Sequence, residues 1–398
     1  MLWMNKNRGI TVCTPIYNRA YCIEKLYRSL QRQTYDNFEW IIVDDGSTDN
    51  VMQLIDKWIG EKNNFDIVLI RSKNGGKMRA INKAVRIATA PAFFIVDSDD
   101  YITDDALEFV DRWFAQIKDN NGFAGVSGLR KIKTIDAQYD FDYIDATNLE
   151  RRRYNLIIDM AECYKTELLR KYPAPEIEKE TYVSPSFVWN SIAREGYKLR
   201  WFNKVIYIGE YRTDGLSAAG PDILTRNPIG WGLLIQLNVM CKRDTEYSDF
   251  QYYRYYQNLK DKFSFEEICA NLNISSEDLL AIVANKPKII YKVNKFFSDN
   301  NIKRIALYGM GGEAKRFLQM SKEFNVEICY GIDRSPNSLL PVCFSPTDTF
   351  PDVDAIIITN RMGIEKIKSS LKDNTKIKCI SLQKDILEKG LNYYYSDI

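Results

Sequence analysis

Apolar and polar positions change period repeatedly along the first hundred residues, and the changes lay out a sheet with helices between its strands. Residues 10–14 form a short apolar and β-branched run stopped by Pro15; 19–33 carry Ile23, Leu26, Tyr27 and Leu30 at helical spacing; 40–43 are apolar again and end in Asp44-Asp45-Gly46-Ser47. A helix over 50–59, a strand over 67–70, a helix over 76–88 and a strand over 92–96 follow. Strands that are apolar throughout and alternate with helices predict an α/β fold with a mostly parallel central sheet and helices on both faces. In such sheets ligands bind beyond the carboxyl ends of the strands, so Tyr17-Asn18, Asp44-Asp45 and Asp97 to Asp99 are expected to meet in one crevice.

The pattern is mixed from 125 to about 215, with strand-like stretches at 124–129, 199–202 and 205–208 and a helix starting at Ser184 or Ser186 and running to Arg194. Residues 231–294 lose the β alternation and read as helices rich in Tyr and Lys. A new strand at 302–308 leads into Gly309-Met310-Gly311-Gly312-Glu313-Ala314, a helix, a strand at 326–331 and Asp333. These shifts predict three parts: 1–230, a helical connector over 231–300, and a small Rossmann-like domain over 301–398. Gly309, Gly311, Ala314 and Asp333 satisfy a dinucleotide-binding spacing, but one βαβ unit offers one mononucleotide half at best. The last part therefore reads as a structural or partner-docking module.

Composition removes several classes of chemistry. Among 398 residues there is no histidine, which excludes imidazole zinc sites, Ser-His-Asp and Cys-His nucleophiles and histidine bases. Lys plus Arg (55) against Asp plus Glu (53) leaves +2, so no nucleic-acid partner is expected. Eight cysteines are scattered without a C-x-x-C pair, and no signal-like stretch opens the chain, which predicts a reducing, cytoplasmic setting. No apolar run approaches the roughly 20 residues that span a bilayer, so any membrane contact is expected to be peripheral, at the inner face of the cell membrane.

The candidate chemistry lies in Asp97-Ser98-Asp99-Asp100, where an apolar strand runs out into carboxylates that suit Mg²⁺ or Mn²⁺ shared with phosphate. An isolated D-x-D is common in solvated turns. Here it stands with Thr14-Pro15-Ile16-Tyr17-Asn18-Arg19, Val43-Asp44-Asp45-Gly46-Ser47-Thr48-Asp49 and Asn74-Gly75-Gly76-Lys77-Met78-Arg79. Together, over roughly 8–217, these motifs resemble the nucleotide-sugar domain of family 2 glycosyltransferases, the GT-A fold, of a bacterial surface-polysaccharide type. The resemblance implies a metal-dependent, inverting, hexosyltransferase-like enzyme. It would move a sugar from a nucleotide diphosphate donor, most simply a UDP-sugar, to a hydroxyl of a glycan or lipid-linked glycan.

It further implies donor-binding roles for Pro15, Tyr17, Asn18, Asp44, Asp45, Lys77, Arg79, Asp97 and Ser98. Tyr17 and Asn18 would line the base pocket, Asp44 or Asp45 would accept from the uracil N–H, and Lys77 and Arg79 would face the diphosphate. Metal ligation falls to Asp99, with Asp97, and Asp214 stands near a histidine of many relatives. Stretches 161–173, 187–193 and 207–217 resemble the acceptor half of one bacterial branch, although Trp189 reads as core. Relatives place an acid just before the helix that begins here near Ser186, where this chain has Ser184-Pro185-Ser186. Glu180 is the chosen catalytic base, with Glu178 on the same side of an extended segment. Two rival readings remain: a nucleotidyltransferase, and a nucleotide-sugar-binding scaffold that has lost catalysis.

Overall fold

The computed structural model describes residues 8–132, 139–156, 159–210, 215, 222–242, 244–334, 339–360, 363–372 and 377–387. The chain divides into two compact units, Met1–Tyr211 and Arg212–Ile398.

The first unit opens with β1 (Ile10–Ile16), α1 (Glu24–Gln31), β2 (Phe38–Asp44), α2 (Val51–Gly60), β3 (Asp66–Arg71), α3 (Lys77–Ile87) and β4 (Ala92–Ile95). It continues with β5 (Tyr101–Ile102), α4 (Ala106–Ala115), β6 (Phe123–Ile132), β7 (Tyr143–Ala146), β8 (Met160–Lys165), α5 (Thr166–Lys171), α6 (Ser186–Arg194) and β9 (Lys198–Gly209). The sheet order is β3-β2-β1-β4-β8-β6-β9-β5, with β7 also on β9. β3, β2, β1 and β4 are mutually parallel, β8 runs antiparallel to both β4 and β6, and β6 is parallel to β9.

Every residue of β2 is buried, as a strand covered on both faces requires. Period-two alternation sorts β1 between two cores. Ile10, Val12 and Ile16 pack with Leu26 and Tyr27 of α1 and Ile55 of α2, whereas Cys13 packs with Ile81 of α3, Leu168 of α5 and Val188 of α6. Trp189 stacks on Tyr164 with ring centroids 4.4 Å apart, which places it against this second core.

Two strand expectations need correction. β1 continues through Pro15, because its ladder to β4 ends at Cys13–Ile95 and the missing N–H two residues later breaks no bond on that side. The stretches 199–202 and 205–208 are one strand, β9. Shifts in its register with β6 absorb the polar Asn203 and Lys204, and Asn203 donates its N–H to the carbonyl of Asp142.

In the second unit, helices Pro228–Lys242, Thr245–Leu259, Phe265–Leu272, Ser276–Asn285 and Lys288–Asp299 precede a second sheet. Tyr247, Phe250, Tyr253 and Tyr255 are buried, so these aromatics pack inward. β10 (Arg304–Tyr308), β11 (Glu327–Ile332), β12 (Cys343–Phe344), β13 (Ala355–Ile358) and β14 (Lys378–Ser381) are all parallel, in the order β12-β11-β10-β13-β14. The expectation of a single βαβ unit is thereby corrected. The all-apolar β13 and the short β14 add strands on the far side of β10, so the strand order reverses there. Gly309 has φ +87°, as the tight turn demands, and Asp333 accepts from the Met310 N–H at 2.6 Å.

Candidate active site

The carboxyl ends of β1, β2 and β4 carry three loops that are tied to one another by side chains. Asn18, at φ +53°, donates its N–H to Ser47 Oγ (2.9 Å), and its Oδ1 accepts from the Thr48 N–H (2.8 Å). Asp49 accepts from the Ala20 N–H at 2.8 Å. The loops after β1 and β2 are thus stitched together, and they leave Tyr17 half exposed beside them.

The two buried acids after β2 divide their work. Asp45 accepts from the Gly75 N–H (3.0 and 3.1 Å) and the Gly76 N–H (2.7 Å), so both its oxygens hold the turn before α3. Asp44 accepts from the Ser47 N–H through Oδ1 (2.9 Å), and its second oxygen makes no hydrogen bond among the described residues. Gly76 sits at φ +94° and ψ 158°, a region open to glycine alone, and a Cβ there would lie 1.7 Å from the Thr181 carbonyl oxygen. Gly76→Ala is therefore expected to lower the thermal midpoint by several degrees, since the turn and the 174–183 loop must separate. An unchanged melt would contradict this packing.

Lys77 and Asp97 form an ion pair at 2.5 Å, each side chain about a quarter exposed. Burial works against both charges, but each outweighs it for the other: the ammonium is held above its ordinary range, and Lys77 with Arg130 holds the Asp97 carboxyl below its own. Arg79 turns the other way, donating to the Ile177 carbonyl at 2.8 Å with its Nε 3.8 Å from Glu176. Ser98 is buried, and its carbonyl accepts from the Cys22 thiol. Asp99 is partly exposed and makes no hydrogen bond or ion pair among the described residues.

Of the three acids before α6, Glu176 accepts from Asn82 (3.0 Å) and Arg86 (3.3 Å), Glu178 is exposed and Glu180 is buried. The period-two expectation for Glu178 and Glu180 fails because a turn with Lys179 at φ +67° lies between them. Glu180, Thr181 and Tyr182 line a pocket together with Gly75, Met78 and Arg79, which joins this loop to the glycine turn. Asp214 lies outside the described residues.

Sequence reasoning passed over Arg130, Asp100 and Tyr207, which fill the space beneath the 97–99 turn, and Glu162 on β8. Asp100 was visible only as one more acid in a run, and Arg130 as a charge within a strand. Burial, followed by nearby Asp159, raises the Glu162 carboxyl to about 7 against the opposing pull of Arg151, 3.6 Å away, and of Arg130. Its folded-state value thus lies above the unfolded one, so the stability Glu162 contributes is present below about pH 4.5 and is lost as pH rises through about 7. Glu162→Gln is expected to flatten the fall in thermal midpoint between pH 5 and pH 8; parallel curves for the two proteins would contradict the assignment.

Among the described residues no group of three or more Asp, Glu or Cys side chains is placed to hold a metal ion. Asp97 and Asp99 still fit a hard divalent cation in part. They are oxygen donors two residues apart, Asp99 makes no hydrogen bond or ion pair among the described residues, and donor phosphates would complete the shell.

The unit is thus an α/β domain whose parallel strands β1, β2 and β4 carry a group of carboxylates at their carboxyl ends. Residues 11–135 match the family model described as Glycosyl transferase family 2. It is 36% identical over 99 residues to the glycosyltransferase GlyG of Streptococcus pneumoniae serotype 4, covering 25% of this chain and 33% of that protein. An uncharacterized glycosyltransferase of Haemophilus influenzae is 28% identical over 178 residues, covering 44% and 68%. The poly(ribitol-phosphate) beta-N-acetylglucosaminyltransferase TarS of Staphylococcus aureus is 33% identical over 113 residues, covering 27% and 20%. The chain thus spans a third or less of the pneumococcal and staphylococcal relatives. The crystal structure of TarS 1-349 with UDP-GlcNAc aligns at 19% identity and TM-score 0.48, over 69% of this chain and 81% of that one.

Proposed function

We propose that the protein is a metal-dependent, inverting glycosyltransferase that takes a sugar from a UDP-linked donor to a hydroxyl of a glycan or lipid-linked glycan. The observation that carries the reading is the pairing at the end of β4: Asp99 free of hydrogen bonds and ion pairs among the described residues, beside Asp97 held by Lys77 at 2.5 Å. Tyr17 and Asn18 border the base, and Asp44 accepts its N–H through the oxygen the fold leaves unused. Asp45 acts through the glycine turn that it braces. Pro15 and Ser98 shape the walls of the crevice, and Arg79 ties the donor turn to the acceptor-side loop.

Asp99 and Asp97 would hold Mn²⁺ or Mg²⁺, with Asp214 as a further ligand, and the cation would supply charge for the departing diphosphate. Lys77, paired with Asp97 at 2.5 Å, offsets that carboxylate's charge at the same place. Glu180 takes the proton of the acceptor hydroxyl as the oxygen of that hydroxyl bonds the anomeric carbon from the face opposite the departing UDP. The bond to UDP breaks with its electron pair, and the configuration inverts.

The reading divides the chain into a transferase domain over 1–230, a helical connector over 231–300 and a docking domain over 301–398. It assigns the protein to the cytoplasm, at the inner membrane face when the acceptor is lipid-linked. A panel of nucleotide sugars with Mn²⁺ separates the rivals. UDP release with sugar transfer is expected; pyrophosphate release would indicate a nucleotidyltransferase, and binding without turnover a scaffold.

A further inference from the structure

The turn that bears Asp97 and Asp99 is fastened by the side chains of Asp100, Arg130 and Tyr207. Asp100, 1% exposed, accepts three hydrogen bonds: from Arg130 Nη2 at 2.6 Å, from the Tyr207 hydroxyl at 2.9 Å and from the Glu210 N–H at 2.8 Å. The same Tyr207 oxygen accepts from the Asp97 N–H at 2.9 Å, so one phenol bonds both ends of the turn. Arg130 lies over the Tyr207 ring, 4.9 Å from its centroid, and the two residues pair in register on β6 and β9. Gly209 makes this stack possible, since a Cβ there would stand 2.7 Å from Arg130 Nε.

The chain leaving β4 crosses to β9, on which β5 pairs as Tyr101–Ile208 and Ile102–Tyr207, so these side chains hold the turn where it makes that crossing. Stability alone does not explain the arrangement. Buried ion pairs commonly gain little over apolar residues of the same volume, because both charges must be desolvated. What the cluster does supply is position: it bonds the Asp97 backbone directly and pins Asp100, next to Asp99, to the end of β9. Partners behind a ligand set orient the ligands, and their loss typically costs ten- to a hundredfold in metal affinity.

We infer that Asp100, Tyr207 and Arg130 form a clamp that sets where the Asp97 and Asp99 carboxylates stand, which makes Tyr207 and Asp100 positioning residues of the donor site. The inference rests on the metal-assisted donor binding proposed above. Tyr207→Phe keeps the buried ring and removes the oxygen, and Asp100→Asn keeps the shape and removes the charge that faces Arg130.

Calorimetric titration of the full chain with UDP, in Mn²⁺ and separately in EDTA, reads the effect beside a thermal melt. Both variants are expected to lose about tenfold in affinity with Mn²⁺ and to stay within about twofold of wild type in EDTA, Tyr207→Phe melting within a few degrees of wild type and Asp100→Asn lower, since it leaves Arg130 without its buried partner. Equal losses in the two conditions, or a lowered melt with unchanged Mn²⁺-dependent affinity, would overturn the clamp. If Asp100→Asn fails to fold, Tyr207→Phe decides alone. Wild type that binds UDP equally in Mn²⁺ and EDTA would instead remove the metal-assisted reading, and the clamp's role with it.

Discussion

Asp99→Asn is expected to lower kcat/KM at least about a hundredfold while the protein melts close to wild type. The side chain is partly exposed and makes no hydrogen bond or ion pair among the described residues, so its replacement by an isosteric amide leaves folding contacts in place. What changes is charge. A diphosphate brought beside Asp97 and Asp99 without a cation is repelled, and Lys77 already spends its ammonium on Asp97 at 2.5 Å. The loss is therefore expected to be much larger in Mn²⁺ than in EDTA. An equal loss in both conditions would mean that Asp99 supports the fold rather than the cation.

Glu180→Gln is the second large effect, and its signature differs. Proton removal from the acceptor hydroxyl is an interaction of the transition state, so kcat is expected to fall roughly a hundredfold while donor affinity stays near wild type. The residue is buried in the pocket it shares with Gly75 and Arg79, on the loop whose Thr181 carbonyl touches Gly76. That placement brings it to the donor turn, which neither Glu176, paired with Asn82 and Arg86, nor exposed Glu178 shares. Near-normal turnover of the glutamine variant would pass the role of base to another acid. Glu162 would be the first to try, since burial raises it to about 7, near the pH at which a base works best.

The parallel half of the sheet was legible because strands buried on both faces leave continuous apolar runs, and β1, β2 and β4 each carry one. The helix over Ser186–Arg194 was legible from its Ser-Pro start. Less legible was the second half, where β9 hides behind Asn203 and Lys204 and β8 carries the partly buried Glu162 between apolar neighbours. The strand-end acids announced the crevice, but sequence could not apportion their bonds. Asp44 and Asp45 are adjacent and chemically identical, and only the fold shows that Asp45 is taken by two glycine N–H groups while Asp44 keeps an oxygen. Arg79 likewise reads as a diphosphate cation by position, yet its guanidinium is bonded to the Ile177 carbonyl. The clamp joins Asp100 to Arg130, 30 positions on, and to Tyr207, 107 positions on, contacts that no local pattern encodes.

Calorimetric titration of the wild-type chain with a panel of UDP-, GDP- and dTDP-sugars, each in Mn²⁺ and in EDTA, tests the central claim most directly. Saturable binding of a UDP-sugar that weakens at least about tenfold on chelation is the predicted result. Binding of no nucleotide sugar in either condition, or equal binding in both, would contradict a metal-assisted donor site at the end of β4.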